Sequence, residues 1–280
     1  MNSDHLSDWL THINSNRPNE GDFGLGRLED IYSQIVQSPV ARKTILVGGT
    51  NGKGSTIEFL KNFLLSAGYK IGSYTSPHLL EFNERIKIND KSVEDKKIIR
   101  SFERIDKLKK KTRLTYFDYA TLAAFDIFSE EELDFAILEI GIGGKYDPVN
   151  LINSDLSIIT NIELDHEKWL GSSLEDIGDQ KAAILKKGKL AILGSEEMPN
   201  SVMTKATEIC SSHFQLNKDF FVHEDKTHWS YSFSEKDCNL DLLSNGSLNS
   251  DAAASALTAY NLLSNREVGF QSIIANTQLK

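Results

Sequence analysis

The stretch that most constrains this fold is residues 44–56, Thr-Ile-Leu-Val-Gly-Gly-Thr-Asn-Gly-Lys-Gly-Ser-Thr. Its apolar beginning predicts a buried strand, and the amphipathic run over 57–67 predicts a helix after the glycines. A glycine-rich turn lets backbone N–H groups face an anion, and the N-terminus of the following helix adds positive potential. The stretch therefore predicts a phosphate-binding loop.

The residues assigned to nucleotide binding in this loop are Asn51, Gly52, Lys53, Gly54 and Ser55. Lys53 can reach the outer phosphates, and the Ser55 hydroxyl is placed to bind Mg²⁺. The spacing departs from the common phosphate-loop pattern, because Val47 stands where a glycine is expected and Gly54 separates the lysine from the hydroxyl. A tight strand-to-helix turn that binds no ligand is the alternative.

Size and composition are those of an ordinary globular protein, with 280 residues, 40% hydrophobic and 25% charged. A net charge of −9 argues against a nucleic-acid partner or an anionic membrane surface. Cys210 and Cys238 are too few for a disulfide framework and too far apart for a metal site. No signal-peptide pattern or membrane-spanning run is visible. We expect a cytoplasmic monomer.

Strand and helix signals alternate along most of the chain. Strands are predicted at 44–47, 69–74, 134–140, 155–162 and 190–193, and helices at 5–17, 26–37, 57–67, 93–111, 116–128 and 174–186. This order predicts an α/β fold with a mostly parallel sheet and helices on both of its faces. Three short runs over 218–243 predict a small antiparallel patch, and a last helix is predicted over 251–264.

Polar residues stand where successive strands end. Ser76 follows the second predicted strand, Glu139 lies at the end of the third, and His166 follows the fourth. The carboxyl ends of parallel strands share one edge of a sheet, where ligands bind. A hydroxyl, a carboxylate and an imidazole beside a phosphate loop predict a divalent-cation site, which suits Mg²⁺ or, with the imidazole, Mn²⁺.

Each of these residues also has a simpler explanation. Ser76 precedes Pro77 and could be a turn residue, while His166 could be the partner of Asp165. Glu139 is harder to explain without a ligand, because a lone carboxylate in a buried strand is costly.

Five motifs together resemble the folylpolyglutamate synthase and dihydrofolate synthase family of the Mur ligase superfamily. They are Gly-Thr-Asn-Gly-Lys-Gly-Ser at 49–55, Tyr-Thr-Ser-Pro-His-Leu at 74–79, Phe-Asn-Glu-Arg-Ile at 82–86, Leu-Glu-Ile-Gly-Ile-Gly-Gly at 138–144 and Leu-Asp-His-Glu-Lys-Trp-Leu-Gly at 164–171. The resemblance covers nearly the whole chain and is greatest to the bifunctional bacterial enzymes. It implies that residues 1–280 form a Mur-ligase-type ATP-binding domain.

The resemblance also implies roles for individual residues. Ser76, Glu139 and His166 would bind Mg²⁺, as one or two ions, and Lys53, His166 and Lys181 would serve catalysis. Lys181 lies in Gln-Lys-Ala at 180–182, where the family's lysine carries a carbamate that helps to hold the second metal ion. A surface lysine on a helix is the alternative for Lys181.

A further implied site is that of the pterin substrate, with Gly21, Asp22, Phe23, Thr115, Tyr146, Asp147 and Pro148 as its residues. Asp22 could instead only cap a turn. Lys145 stands where the family has an arginine, which removes a planar two-pronged donor from this loop.

The activity that the resemblance implies is ATP-dependent amide formation. ATP would phosphorylate the carboxylate of dihydropteroate or of a reduced folate, and the amine of L-glutamate would displace phosphate from the acyl phosphate. Another Mur-type amino-acid ligase and an inactive nucleotide-binding module are the alternatives. The family's Pro-Gly-Arg motif and its C-terminal domain are missing, and Ala252-Ala253 replaces an Asn-Ala pair. We therefore expect the 280-residue chain to be inactive alone.

Overall fold

The computed structural model describes residues 3–15, 24–225, 228–236, 238–243, 249–270, 273–274 and 277. An eight-stranded sheet lies at its centre, in the order β4-β3-β2-β5-β1-β6-β7-β8. These strands are β1 Lys43–Gly48, β2 Ile71–Tyr74, β3 Ile86–Ile88, β4 Lys91–Ser92, β5 Phe135–Glu139, β6 Leu156–Ile159, β7 Leu190–Leu193 and β8 Ser212–Gln215. All pairings from β2 to β8 are parallel, and β3 and β4 add an antiparallel edge. The predicted mostly parallel sheet is confirmed.

Helices cover both faces of this sheet, as the sequence predicts. They are α1 Leu6–Ser15, α2 Gly26–Ile35, α3 Lys53–Ser66, α4 Asp95–Leu108, α5 Tyr116–Ser129, α6 Glu167–Leu170, α7 Leu174–Ala182, α8 Asn200–Ile209 and α9 Ser250–Leu263. None of the helices in the described ranges is both long and apolar enough to cross a membrane.

The predicted antiparallel patch is a separate three-stranded sheet in the order β11-β10-β9. Its strands are β9 Phe220–Glu224, β10 His228–Phe233 and β11 Cys238–Leu243. Along β10 the side chains alternate between buried and less buried, with Trp229, Tyr231 and Phe233 inside. This period of two is why the sequence predicts a strand here.

Successive side chains of β1 point to opposite faces of the sheet, and the buried side chains on the two faces form two core clusters. Ile45 and Val47 pack with α3 and α9, while Leu46 packs in the cluster on the other face. On the first face, α9 contributes a row of alanines that lets it pack closely against α3. On the other face, α4 and α5 pack against each other and against α1 and α2.

The register of the parallel strands brings their carboxyl ends to one edge. Val47 of β1 pairs with Glu139 of β5, and Gly48 pairs with Ile159 of β6. β1 lies between β5 and β6. The strands β2 to β5 lie on one side of β1, and β6 to β8 lie on the other side, so the order of the strands reverses direction at β1. Such a topological switch point is where ligands bind in open α/β sheets.

Several regions differ from the sequence prediction, and the short helix α6 is among the elements that it does not predict. The helix predicted over 57–67 begins earlier, at Lys53, because the glycine-rich residues after Gly52 already form its first turn. Neither α8 nor β8 is predicted from the sequence. Helix α8 buries only Val202 and Ala206, and β8 is a partly exposed edge strand, so neither element has a strong apolar period.

Candidate functional site

The phosphate loop is held against the segment that follows β6. Gly49 has φ +138°, and a Cβ placed on it would lie 1.9 Å from Thr160 Oγ1. The Thr160 hydroxyl donates to the Asn51 carbonyl at 2.6 Å, and the Asn51 N–H donates to Asn161 Oδ1 at 2.8 Å. Glycine at position 49 is therefore required by both its backbone conformation and its neighbour.

The other loop residues are placed for a ligand in different ways. The Asn51 side chain donates to Glu163 Oε2 at 2.9 Å, so it faces the β6 loop. Gly52 has φ +83° and precedes α3. A Cβ on Gly54 would meet no atom within 4 Å, so the space beside this residue is open. Ser55 lies in the first turn of α3, where N–H groups are not used within the helix.

Two lysines converge on one carbonyl of this loop. Lys53 Nζ donates to the carbonyl oxygens of Gly49 and Thr50 at 3.0 and 2.9 Å. Lys181 Nζ, from α7, donates to the same Gly49 oxygen at 2.8 Å. Lys181 is 4% exposed, so the alternative of a surface lysine is wrong.

Burial and the nearby Lys53 charge lower the pKa of Lys181 to about 8. A lowered pKa increases the fraction of neutral amine near neutral pH. The neutral amine is the form of a lysine that can react as a nucleophile.

Glu139 is a buried carboxylate at the end of β5, with 5% exposure. Its Oε2 accepts a hydrogen bond from the Ser76 N–H at 2.8 Å, and the Ser76–Pro77 peptide is cis. Burial raises the pKa of Glu139, while the Ser76 N–H and the Lys53 charge act in the opposite direction. A desolvated carboxylate beside a phosphate loop fits a divalent cation, which would offset its burial.

His166 lies beside Asp165 in the structure. Its backbone is left-handed, with φ 50°, and its Nε2 lies 3.5 Å from Asp165 Oδ2. The geometry matches the alternative in which His166 is the partner of Asp165. Within the described part of the chain, no group of three or more His, Cys, Asp and Glu side chains could hold a metal ion. The assignment of Ser76, Glu139 and His166 to metal stays a prediction.

Asp147 holds the loop that follows β5. Its Oδ2 accepts from the N–H groups of Gly141 and Ile142 at 2.9 and 3.0 Å, and its Oδ1 accepts from Val149 at 2.9 Å. Burial raises the pKa of Asp147 to about 7 in spite of these three donors. The carboxylate thus has a structural role, whether or not it also contacts a substrate.

The other residues predicted for the pterin lie in varied settings. Thr115 is the N-cap of α5, since its Oγ1 accepts from the Asp118 N–H at 3.0 Å. Asp118 in turn binds Arg27 through two hydrogen bonds, at 2.7 and 3.0 Å. Pro148 is buried in a 3₁₀ turn, Pro148–Leu151, and Tyr146 is exposed.

Three of the predicted residues, Gly21, Asp22 and Phe23, lie outside the described residues. The pterin site as a whole stays a prediction.

Comparison with known proteins agrees with the family that the sequence motifs indicate. Residues 47–260 match the Mur ligase middle domain. The chain is 35% identical over 232 residues to dihydrofolate synthase/folylpolyglutamate synthase of Escherichia coli, and 34% identical over 276 residues to that of a Buchnera aphidicola strain from Baizongia pistaciae. The chain belongs to the dihydrofolate synthase/folylpolyglutamate synthase family of Mur ligases.

Solved structures of this family have the same fold. The Escherichia coli enzyme in complex with DHPP and ADP superposes with a TM-score of 0.91 at 33% identity, over 98% of this chain and 66% of that one. A bifunctional enzyme with Mn, AMPPNP and L-glutamate bound has a TM-score of 0.84 at 31% identity, over 98% of this chain and 65% of that one.

The chain spans part of the length of its family relatives. The matches cover 83% of this chain and 53% of the Escherichia coli relative, and 98% of this chain and 65% of the Buchnera relative.

The residues that hold the phosphate loop in place were not predicted from the sequence. Thr160, Asn161 and Glu163 hold the loop from the segment after β6. Their position after a buried strand could have identified them, because the same position identified Ser76 and His166.

Large hydrophobic side chains surround the same sheet edge. Eight are exposed within the described ranges, and six of them lie in the segments that follow β2, β5 and β6: Leu79, Leu80, Ile142, Tyr146, Leu164 and, in the short helix α6, Trp169. Clustered exposed apolar side chains mark contact surfaces. This edge of the family fold is therefore the part of the described structure that is best suited to contact a ligand or another part of a protein.

Proposed function

We propose that this chain is the ATP-binding part of a ligase that adds L-glutamate to dihydropteroate and to the glutamate tails of reduced folates. The observation that carries the proposal is the convergence of Lys53 and Lys181 on the Gly49 carbonyl, beside the carboxyl ends of β1 and β5. The names of the relatives and the ligands in the neighbouring structures support the same activity.

The phosphate loop and the start of α3 bind the phosphates of ATP. The N–H groups of residues 52–55 face the anion, and Lys53 leaves its two loop carbonyls to contact the outer phosphates. Phosphoryl transfer depends on positioning and charge neutralisation more than on covalent catalysis. The loop N–H groups and Lys53 therefore account for much of the catalysis.

Ser76, Glu139 and His166 hold Mg²⁺ at the edge of the sheet. Mg²⁺ neutralises charge on the transferred phosphoryl group when it is bound. For His166 to take part, its imidazole must leave Asp165, from which its Nε2 lies 3.5 Å away.

Lys181 is the site of a carbamate. Its neutral Nζ attacks the carbon of CO₂ and loses a proton, which turns a cation into an anion. The lowered pKa of about 8 favours this step, because only the unprotonated amine is nucleophilic.

The reaction then has two bond exchanges. An oxygen of the acceptor carboxylate attacks the γ-phosphorus, and the bond to the leaving ADP breaks. The amine of L-glutamate attacks the carbonyl carbon of the acyl phosphate, phosphate leaves, and the amine loses a proton as the amide forms. Gly21, Asp22, Phe23, Thr115, Tyr146, Asp147 and Pro148 bind the pterin.

Calorimetric titration of the chain with Mg-ATP and with dihydropteroate tests the binding half of this function. We expect both ligands to bind to the chain. In a ligase assay, we expect labelled L-glutamate to enter dihydropteroate and reduced folate when the chain is extended by the C-terminal domain of a homologue, but not when the chain is assayed alone. Phosphate release that depends on a cell-wall precursor and another amino acid, with no response to pterins, would favour a different Mur-type ligase.

A further inference from the structure

Arg85 is a buried cation for which the described residues supply no carboxylate partner. It ends the 3₁₀ turn Phe82–Arg85 and is 8% exposed. The ion pairs of the described ranges join the other buried and half-buried arginines, Arg27 and Arg104, to Asp118 and Asp126, but none involves Arg85. Burial of a charge without a counter-charge is costly. Such a group therefore indicates an anionic ligand.

The orientation of the guanidinium is fixed from one side. Its Nε donates to His78 Nδ1 at 2.7 Å, and the rings of Phe82 and Tyr116 lie 5.9 and 5.6 Å from its central carbon. His78 uses the Nε–H, and a hydrogen bond with the Tyr74 side chain uses one of the other N–H groups. The N–H groups that remain on the two terminal nitrogens can make a two-pronged contact.

The Arg85 guanidinium lies near residues of both the candidate cation site and the candidate pterin site. The Thr75 N–H donates to the Arg85 carbonyl at 3.0 Å, next to Ser76. The Arg85 charge acts on Glu139 and on Tyr74, and the cation faces Tyr116, which directly follows Thr115. A group bound by Arg85 would thus lie near both the metal carboxylate and the aromatic side chains.

We propose that Arg85 binds the carboxylate of the acceptor substrate and holds it beside the phosphate loop for phosphorylation. This assignment rests on the proposed function, since it takes its substrate from there. A planar carboxylate matches the guanidinium fork. A nucleotide phosphate shares this oxyanion chemistry, but Lys53 and Lys181 already supply cations at the phosphate loop, and the rings beside Arg85 suit an aromatic acid.

The test compares two ligands on two proteins. One ligand is dihydropteroate, and the other is its analogue in which hydrogen replaces the carboxylate. We expect wild-type protein to bind dihydropteroate about tenfold to one hundredfold more tightly, the range of hydrogen bonds to a charged group. We expect Arg85→Gln to remove this preference and to leave the affinity for the analogue unchanged. Ligand fluorescence titrations measure all four dissociation constants.

Two further variants are controls for effects of the substitution on folding. Arg85→Lys keeps the charge but loses the fork, and it should retain part of the preference even if Arg85→Gln does not fold. Arg104→Gln is the matched control, because this arginine pairs with Asp126 and Glu130 away from the sheet edge. It should keep the full preference, and thermal unfolding reports the fold of each variant.

Several outcomes would overturn the assignment. An equal loss of affinity for both ligands would show a purely structural role, and an unchanged preference in Arg85→Gln and Arg85→Lys would leave the proposed function standing without Arg85. Selective loss of Mg-ATP affinity would assign the fork to a phosphate. If wild-type protein binds neither pterin, the proposed substrate is wrong and the assignment falls with it.

Discussion

Lys53 and Lys181 donate to the same oxygen, the carbonyl of Gly49, although one lysine lies on α3 and the other on α7. Two ammonium groups on one acceptor repel each other, and this repulsion adds to burial in lowering the pKa of Lys181 to about 8. The phosphate loop thereby concentrates positive charge at one point and increases the neutral fraction of Lys181.

We predict that Lys181 forms a carbamate with CO₂ and that its yield, at a fixed CO₂ concentration, rises as the pH increases through about 8. The sign follows from the lowered pKa, since the neutral amine forms above it. Carbon NMR with labelled CO₂ measures the signal, which Lys181→Gln should abolish. Lys186 is the matched control, because burial also lowers its pKa to about 8 while its Nζ donates to the Asn150 carbonyl. A signal lost in Lys186→Gln but kept in Lys181→Gln would contradict the assignment.

We predict that Lys53→Ala and Glu139→Ala each abolish the thermal stabilisation given by Mg-ATP. The first removes the cation of the phosphate loop, and the second removes the buried carboxylate that fits Mg²⁺. Thermal unfolding with and without Mg-ATP measures the effect. Lys189→Ala, which breaks an ion pair with Asp155, is the control that should respond like wild type. Unchanged Mg-ATP affinity in both variants would refute the phosphate site.

Two glycines of the loop should respond differently to alanine. Gly49→Ala places a Cβ against Thr160 at φ +138°, so we expect a loss of about 1–3 kcal/mol or more in unfolding free energy. Gly54→Ala meets no protein atom and lies within α3, so we expect a gain of about 0.5–1 kcal/mol. Nucleotide affinity should fall in both, in Gly54→Ala because the Cβ enters the space for phosphate. Denaturant unfolding and nucleotide titration separate the two effects, and wild-type nucleotide affinity in Gly54→Ala would place the phosphates elsewhere.

The sequence predicts the sheet well because its central strands are mostly apolar and almost wholly buried, and because its helices have clear periods. It also locates Glu139 at the end of β5, since position along a strand determines which edge a residue occupies. It misses β8 because that edge strand is only partly buried and lacks a continuous apolar run.

The surroundings of single side chains were harder to predict. In the helix Leu174–Ala182 the sequence around Lys181 is polar, which does not predict that this lysine is buried. The buried Lys181 instead contacts Gly49, which is far away in the sequence. The left-handed backbone of His166 is likewise not predicted by its position after a strand, although the sequence did offer Asp165 as an alternative partner for its side chain. Arg85 shows the same limit, because only the structure reveals that its charge is buried beside His78.

The last prediction separates the two roles that Thr115 can have. Its Oγ1 accepts a hydrogen bond as the N-cap of α5, so Thr115→Ala should lower the unfolding free energy by about 1 kcal/mol. Among the described residues no acceptor for the hydroxyl hydrogen is found, and we propose that it donates to the pterin. Thr115→Asn keeps a capping oxygen but loses this donor, so it should retain wild-type stability and bind dihydropteroate about tenfold more weakly, the effect of one hydrogen bond.

Thr115→Ser, which keeps both the cap and the donor, is the control that should match wild type in both measurements. Mg-ATP affinity should be the same in all three variants, because Thr115 lies on α5 and the phosphate loop leads into α3. Denaturant unfolding and pterin titration are the two readouts. Full pterin affinity in a stable Thr115→Asn protein would leave Thr115 with its capping role alone and remove it from the pterin site.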